Sequence, residues 1–212
     1  MSTLSVLAIS GSLRAGSYNS ALVRAARRHA PQGIDVEVYG RLRDIPPYDQ
    51  DLDTDGLVPE PARDLRARVT AADGLLLATP EYNYGVPGVL KNALDWASRP
   101  SGASSLTLKP VAIMGAAPTN FGSVRAQLAL RQLFLWTDSR VVVKPEVIVF
   151  RAQDRVGEDG EYTDATTIEL VQNLLEALRE EVELTAAERR IHASSPARAR
   201  ASARVTRRRR AA

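Results

Sequence analysis

Short apolar runs alternate along this chain with longer amphipathic segments, and this alternation limits the possible folds more than any other feature. It is typical of βαβ units, in which each buried strand is followed by a helix that packs on the sheet. A β-sandwich or a helix bundle would lack it. The pattern therefore predicts an α/β fold, with five strands and five helices in a doubly wound three-layer sandwich.

The apolar runs predict strands over residues 4–9, 34–39, 74–79, 111–117 and 141–150. Helical periodicity predicts helices over 19–30, around Leu65, Val69 and Ala72, and over 86–97, 123–137 and 163–184. The third strand is apolar throughout, as expected for a strand buried on both faces of a parallel sheet. Pro145 interrupts the fifth run, and because proline lacks a backbone donor, that strand is expected at an edge.

Residues 186–212 differ in composition from the rest of the chain. They contain nine arginines against one acidic residue, Glu188, although the whole chain carries a formal charge of only +3. Residues 1–185 are therefore acidic, at −5. We interpret residues 1–185 as one globular domain and residues 186–212, which lack apolar periodicity, as an Arg- and Ala-rich unfolded tail.

Composition also narrows the chemistry and the expected location of the chain. Cysteine is absent, which excludes disulfides, thiolate nucleophiles and cysteine metal sites and favours a reducing compartment. No run approaches the roughly 20 apolar residues of a membrane helix. The first apolar stretch also lacks the cationic lead-in of a secretory signal. We therefore expect a cytoplasmic protein without a membrane span.

The segment Ser10–Asn19 joins the first strand to the first helix and is rich in glycine and serine, with Arg14 at its centre. Backbone N–H groups at a helix N-terminus attract anions, and hydroxyls and a guanidinium add donors. Two known phosphate loops do not fit, because Ser17 replaces the lysine of the triphosphatase loop and Leu13 replaces the middle glycine of the dinucleotide fingerprint. The segment predicts a site for one phosphomonoester; the alternative is an ordinary capped turn.

The segment Thr79–Gly88 follows the third strand and places two tyrosines beside a carboxylate and an amide. Tyr82 and Tyr84 can stack on a planar ring or contact its edge, while Asn83 and backbone groups can bond to the polar rim of a heterocycle. The alternative is a turn whose tyrosines only cover the end of the sheet.

Several segments resemble the NADPH-dependent FMN reductase family, the flavodoxin-like quinone, azo and chromate reductases. Residues 11–19 are similar to its phosphate loop, residues 80–83 to its isoalloxazine loop and residues 86–96 to the following helix. Residues 44–51 resemble its second long connection, and the resemblance extends over roughly residues 4–182. It implies a flavodoxin-like three-layer αβα sandwich whose five-stranded parallel sheet has the order 2-1-3-4-5.

The resemblance implies that the chain binds FMN. The residues implied to hold the phosphate are Ser12, Arg14, Ser17 and Asn19. Those implied to border the ribityl chain and the flavin ring are Pro80, Glu81, Tyr82 and Asn83. The loop after the fourth strand departs from the family, because relatives often place a serine beside the flavin there. Ala116 and Ala117 would therefore contact the cofactor through their backbone only.

The resemblance also implies an NAD(P)H-dependent oxidoreductase in which the flavin carries the chemistry and no catalytic side chain is needed. NADPH or NADH would pass a hydride to the flavin, leave, and be replaced by a quinone-like, azo, flavin or metal-oxyanion acceptor, in a ping-pong order. Tyr82 and Tyr84 would shape the acceptor slot. Relatives assemble through the region of Trp96, which implies a homodimer or homotetramer, although a core role for Trp96 fits the sequence equally.

Other interpretations stay open. A flavodoxin-type electron carrier would share the sheet and FMN but lack a nicotinamide site, and a regulatory module would have kept the fold and lost the cofactor. Binding of nucleic acid or an anionic surface through the Arg-rich tail is disfavoured, because the tail lacks aromatic residues for base stacking and the domain is acidic.

Metal binding is not expected from the sequence. Residues 51–56 match the first half of a calcium loop, but Ala62 stands where the bidentate glutamate is needed. The chain has two histidines, His29 and His192, which are too few and too separated to predict a histidine triad or a metal cluster.

Overall fold

The structure is a computed structural model that describes residues 3–194. Within these residues, parallel strands form one sheet: β1 (Leu4–Ser10), β2 (Ile34–Val38), β3 (Gly74–Ala78), β4 (Pro110–Ala116), β5 (Arg140–Val141) and β6 (Val147–Val149). The helices are α1 (Tyr18–Arg28), α2 (Glu60–Ala71), α3 (Gly88–Ala97), α4 (Val124–Trp136) and α5 (Ala165–Ser194). The strand order β2-β1-β3-β4-β5 confirms the predicted order.

The predicted fifth strand is divided into two short strands. β5 pairs with the start of β4 at Pro110 and Val111, and β6 pairs with its end, from Met114 to Ala116. Pro145 lies in the gap between them, where its missing N–H interrupts no pairing. The edge position predicted from Pro145 is confirmed, but the edge is formed by two strands and not by one.

The sheet divides the hydrophobic core into two layers because successive strand residues point to opposite faces. In β1, Val6 and Ala8 pack in the layer that α1 and α5 cover, while Leu7 and Ile9 pack in the layer that α2, α3 and α4 cover. Every residue of β3 is buried, as predicted for the centre of the sheet. The three-layer sandwich is thereby confirmed.

Helix α5 extends beyond its predicted end at residue 184. It continues to Ser194, so residues 186–194 of the predicted unfolded tail are helical. Arg189 in this extension donates to the carbonyl of Leu108 at 2.9 Å, and Glu188 lies 3.5 Å from Arg140, which fastens it to the domain. The remainder of the predicted tail lies outside the described residues.

None of the helices within residues 3–194 is long and apolar enough to span a membrane.

Candidate cofactor site

The loops after β1, β3 and β4 meet at the carboxyl ends of these strands, where ligands bind in sheets of this topology. They enclose a cavity of about 380 Å³, the cofactor cavity, which is lined by Ser12, Arg14, Ser17, Tyr18, Asn19, Pro80, Glu81, Tyr82, Ala116, Ala117 and Pro118. All the predicted cofactor residues line it except Asn83. Tyr18 and Pro118 were missed, although each lies directly beside predicted residues in the chain.

The start of α1 faces this cavity with unused donors. The Ser17 hydroxyl accepts from the backbone N–H of Ser20 at 3.2 Å, and its carbonyl accepts from that of Ala21 at 3.0 Å. Helix geometry leaves the N–H groups of Tyr18 and Asn19 without intrahelical acceptors, and the helix dipole makes this end positive. The Arg14 guanidinium lies 5.4 Å from the centre of the Tyr18 ring. This arrangement suits an oxyanion.

Asn19 connects the first of these loops to the end of β4. Its side-chain Nδ2 donates to the Ala116 carbonyl at 3.0 Å, and its Oδ1 accepts from the Ala116 N–H at 3.0 Å. The residue is buried, with 3% of its surface exposed. Both ends of the amide therefore bond to Ala116, and the side chain positions that residue; its predicted contact with a phosphate stays a prediction.

The loop after β4 presents few free polar groups to the cavity. Asn19 occupies the N–H and the carbonyl of Ala116, and the N–H of Ala117 donates to the carbonyl of Val149 at 3.1 Å. The N–H groups of both alanines thus have partners within the protein, and the two residues line the cavity as an apolar wall; their backbone contact with the cofactor stays a prediction. A Cβ on Gly115 would lie only 2.6 Å from the backbone carbonyl oxygen of Thr79, so glycine is required there.

The loop after β3 makes a tight turn at the mouth of the cavity. The N–H groups of Tyr82 and Gly85 each donate to the carbonyl of the other, at 3.1 and 3.0 Å. Asn83 and Tyr84 have positive φ angles of 49° and 69° and form the exposed tip, so they do not line the cavity. The Tyr82 hydroxyl lies 3.4 Å from that of Ser12, which brings the two loops together.

Glu81 fixes the same loop to the start of α4. Its carboxylate accepts from the backbone N–H of Arg125 at 3.0 Å and from the Arg125 side chain, and the Glu81 side chain is only 8% exposed. The Arg125 guanidinium also stacks over the Tyr84 ring at 3.7 Å and lies 4.9 Å from the centre of the Phe121 ring. Nothing in the sequence predicts Arg125, because 44 positions separate it from Glu81.

Two residues with open interpretations have structural roles. Trp96 is fully buried and donates from its ring nitrogen to the Pro46 carbonyl at 2.9 Å, so the core role applies. Asp53, within the partial calcium pattern, pairs with Arg66 at 2.6 Å. Across residues 3–194, no group of three or more His, Cys, Asp or Glu side chains is arranged to hold a metal ion.

Comparison with known proteins matches residues 4–154 to the NADPH-dependent FMN reductase family model. An NAD(P)H-dependent FMN reductase from Pseudomonas aeruginosa is 45% identical over 176 residues, covering 83% of this chain and 94% of the relative. A quinone reductase from Escherichia coli is 37% identical over 178 residues, covering 84% and 94%. The solved structure of a flavoenzyme NAD(P)H:(acceptor) oxidoreductase from Paracoccus denitrificans matches with a TM-score of 0.77 and 32% identity, covering 86% and 98%.

Proposed function

Because this chain belongs to the NADPH-dependent FMN reductase family, we propose that the cofactor cavity holds its FMN. The chain is an NAD(P)H-dependent oxidoreductase of the FMN reductase and quinone reductase type. The observation that carries the proposal is the juxtaposition of an anion site, made by the start of α1 and Arg14, with Tyr82 in one cavity.

The residues of the cavity divide between the two ends of FMN. Ser12, Arg14 and Ser17, with the first N–H groups of α1, hold the phosphate, because hydroxyls, a guanidinium and a helix N-terminus all favour a dianion. Pro80 and Tyr82 border the ribityl chain and the ring. Ala116 and Ala117 contribute an apolar wall, and Asn19 and Glu81 hold the loops in place. Asn83 stays outside the cavity, so its proposed contact with FMN depends on movement of the loop tip.

Bound FMN supplies the hydride chemistry, and the protein supplies the binding slot and its orientation. Tyr82, with Tyr84 at the rim, would form the slot that places NAD(P)H beside the bound cofactor. The same slot would admit a quinone-like, azo, flavin or metal-oxyanion acceptor after the oxidised nucleotide has left. Both substrates use one slot in turn, which predicts ping-pong kinetics.

Steady-state kinetics on the FMN-loaded protein test this proposal. We expect oxidation of NADPH with a soluble benzoquinone, and parallel double-reciprocal lines when both substrates are varied. Intersecting lines would contradict the shared slot. A protein that takes up FMN but oxidises no NAD(P)H would support a flavodoxin-type electron carrier. A protein that cannot take up FMN would contradict both the reductase and the carrier.

We also propose that the enzyme assembles as a homodimer, or as a homotetramer built from it, through α4. Three large apolar side chains of this helix are exposed, Leu128, Leu135 and Trp136, the last at 91%. Such a patch favours burial against another protein surface. Light scattering after size-exclusion chromatography should give at least twice the monomer mass, and Leu135→Arg should lower it. A monomeric wild-type protein would contradict this assembly.

A further inference from the structure

A second cavity of about 340 Å³, here called the Arg pocket, lies on the other side of the Ser12–Arg14 segment. It is lined by Ser10, Ser12, Leu13, Arg14, Ala15, Ser20, Val23, Arg24, Val38, Tyr39, Gly40, Leu42 and Arg43. It shares Ser12 and Arg14 with the cofactor cavity. A ligand in one cavity therefore lies directly beside a ligand in the other.

The Arg pocket is lined by three guanidinium groups and by no carboxylate. Arg24 pairs with Glu161, which lies outside the lining, and Arg14 is assigned above to the FMN phosphate. Arg43 donates to the carbonyl of Leu13 at 3.1 Å, and within residues 3–194 it forms no ion pair. One guanidinium therefore remains available for an anion after FMN is bound.

The remaining lining suits a ring with polar edges. Val23, Val38 and Leu42 provide apolar walls, and the hydroxyls of Ser10 and Ser20 lie 2.9 Å apart. Burial raises the pKa of Tyr39 to about 12, so Tyr39 adds no negative charge at neutral pH. A volume at the lower end of the range for ligand pockets suits a nucleoside with one phosphate.

We propose that the Arg pocket binds the adenosine 2′-phosphate end of NADPH, and that Arg43 makes this enzyme prefer NADPH to NADH. The inference rests on the proposed function, because it requires the nicotinamide to reach the neighbouring flavin. A guanidinium can bind a phosphate through two parallel hydrogen bonds and can stack on an adenine ring. NADH lacks the 2′-phosphate, so the contact with Arg43 would strengthen the binding of NADPH and not that of NADH.

The kinetic test compares kcat/KM for NADPH and NADH in FMN-loaded wild type and Arg43→Ala. Loss of one charge-assisted contact should lower the NADPH-to-NADH ratio by about tenfold or more. Arg27→Ala is the matched control, since it removes the same charge from an exposed position of α1 outside the pocket, and should keep the wild-type ratio. An unchanged ratio in Arg43→Ala would overturn the inference, even if both activities fell.

A second experiment measures nucleotide binding to the Arg pocket in the absence of catalytic turnover. Calorimetry on the FMN-loaded protein should show tighter binding of adenosine 2′,5′-bisphosphate than of adenosine 5′-phosphate, and Arg43→Ala should remove the difference. Equal affinities in wild type would overturn the inference while leaving the proposed function intact. Conversely, FMN-loaded wild type that oxidises neither nucleotide would remove the proposed function, whatever calorimetry shows of the pocket.

Discussion

The two ends of the sheet each place a cation near a helix terminus, but the electrostatic surroundings are opposite. At the amino end, Lys109 is buried and its ammonium donates to the Ala72 carbonyl at the C-terminus of α2, where the helix dipole is negative. At the carboxyl end, Arg14 lies beside the positive N-terminus of α1 and forms no ion pair within residues 3–194. The amino-end cation is already hydrogen-bonded within the protein, whereas the carboxyl-end cation has no acidic partner among the described residues and is available to an anion. The predictions below test this difference.

The largest effect is expected from Asn19→Ala, which removes the connection between two loops at the carboxyl end. Two buried hydrogen bonds are lost and the polar groups of Ala116 are left unpaired, so the free energy of unfolding should fall by about 2–4 kcal/mol. FMN affinity should fall as well. Urea unfolding of the FMN-free protein measures the first effect, with Asn120→Ala in an exposed loop as control. Loss of less than about 0.5 kcal/mol would show that Asn19 does not fix this end.

Arg14→Ala should separate binding from stability at the same end. Because Arg14 has no acidic partner to lose within residues 3–194, the free energy of unfolding should change by less than about 0.5 kcal/mol. The dissociation constant for FMN should rise about 10- to 100-fold, because one charge-assisted hydrogen bond to the phosphate is lost. Quenching of FMN fluorescence on titration measures this, and Arg27→Ala should bind as wild type does. Unchanged affinity in Arg14→Ala would place the phosphate elsewhere.

Lys109→Met tests the amino end, where we expect an effect on stability alone. Burial, with a smaller effect of the Arg189 charge, lowers the pKa of Lys109 from 10.5 to about 8. Between pH 8 and 10.5 the folded protein therefore holds fewer protons at this amine than the unfolded chain. The contribution of Lys109 to stability rises with pH over that interval, by about 1 kcal/mol from pH 7 to 9.

Methionine cannot titrate, so the free energy of unfolding of Lys109→Met should lack this rise relative to wild type. Urea unfolding at pH 7, 8 and 9 provides the comparison, and FMN affinity should stay the same in both proteins. Parallel pH profiles would mean that Lys109 titrates as an exposed amine, and weakened FMN binding would mean that the two ends are not independent.

The smallest effect is expected from Glu81→Gln, which keeps the shape of the link between the β3 loop and α4 but removes its charge. The Glu81 contact with Arg125 should weaken, and the dissociation constant for FMN should rise by about two- to fivefold as the loop loosens. Asp95→Asn, in the exposed pair with Lys91 on α3, is the control and should have no effect. A change in FMN affinity as large as that of Arg14→Ala would assign Glu81 a direct contact with the cofactor.

The fold could be predicted from particular local patterns. The apolar run of β3 predicted a central strand, and Pro145 predicted an edge strand, because burial and hydrogen-bonding constraints act on each residue directly. The end of α5 could not be predicted, since residues 186–194 lack apolar periodicity and are attached through contacts such as that of Arg189 with Leu108. Their helical state depends on a surface that is distant in the chain.

The sequence by itself determined the three layers and the loops that form the cofactor cavity, and its family resemblance gave the strand order. The period of the apolar residues and the Gly, Ser and Tyr content of the loops are local properties, so they can be read from the sequence alone. Only the tertiary structure decided which polar groups in these loops remain free. Asn19 meets Ala116 across 97 positions and Glu81 meets Arg125 across 44, so their hydrogen bonds exist only once the sheet has brought the loops together. A side chain that the sequence predicts to contact a ligand can therefore hydrogen-bond to another part of the protein.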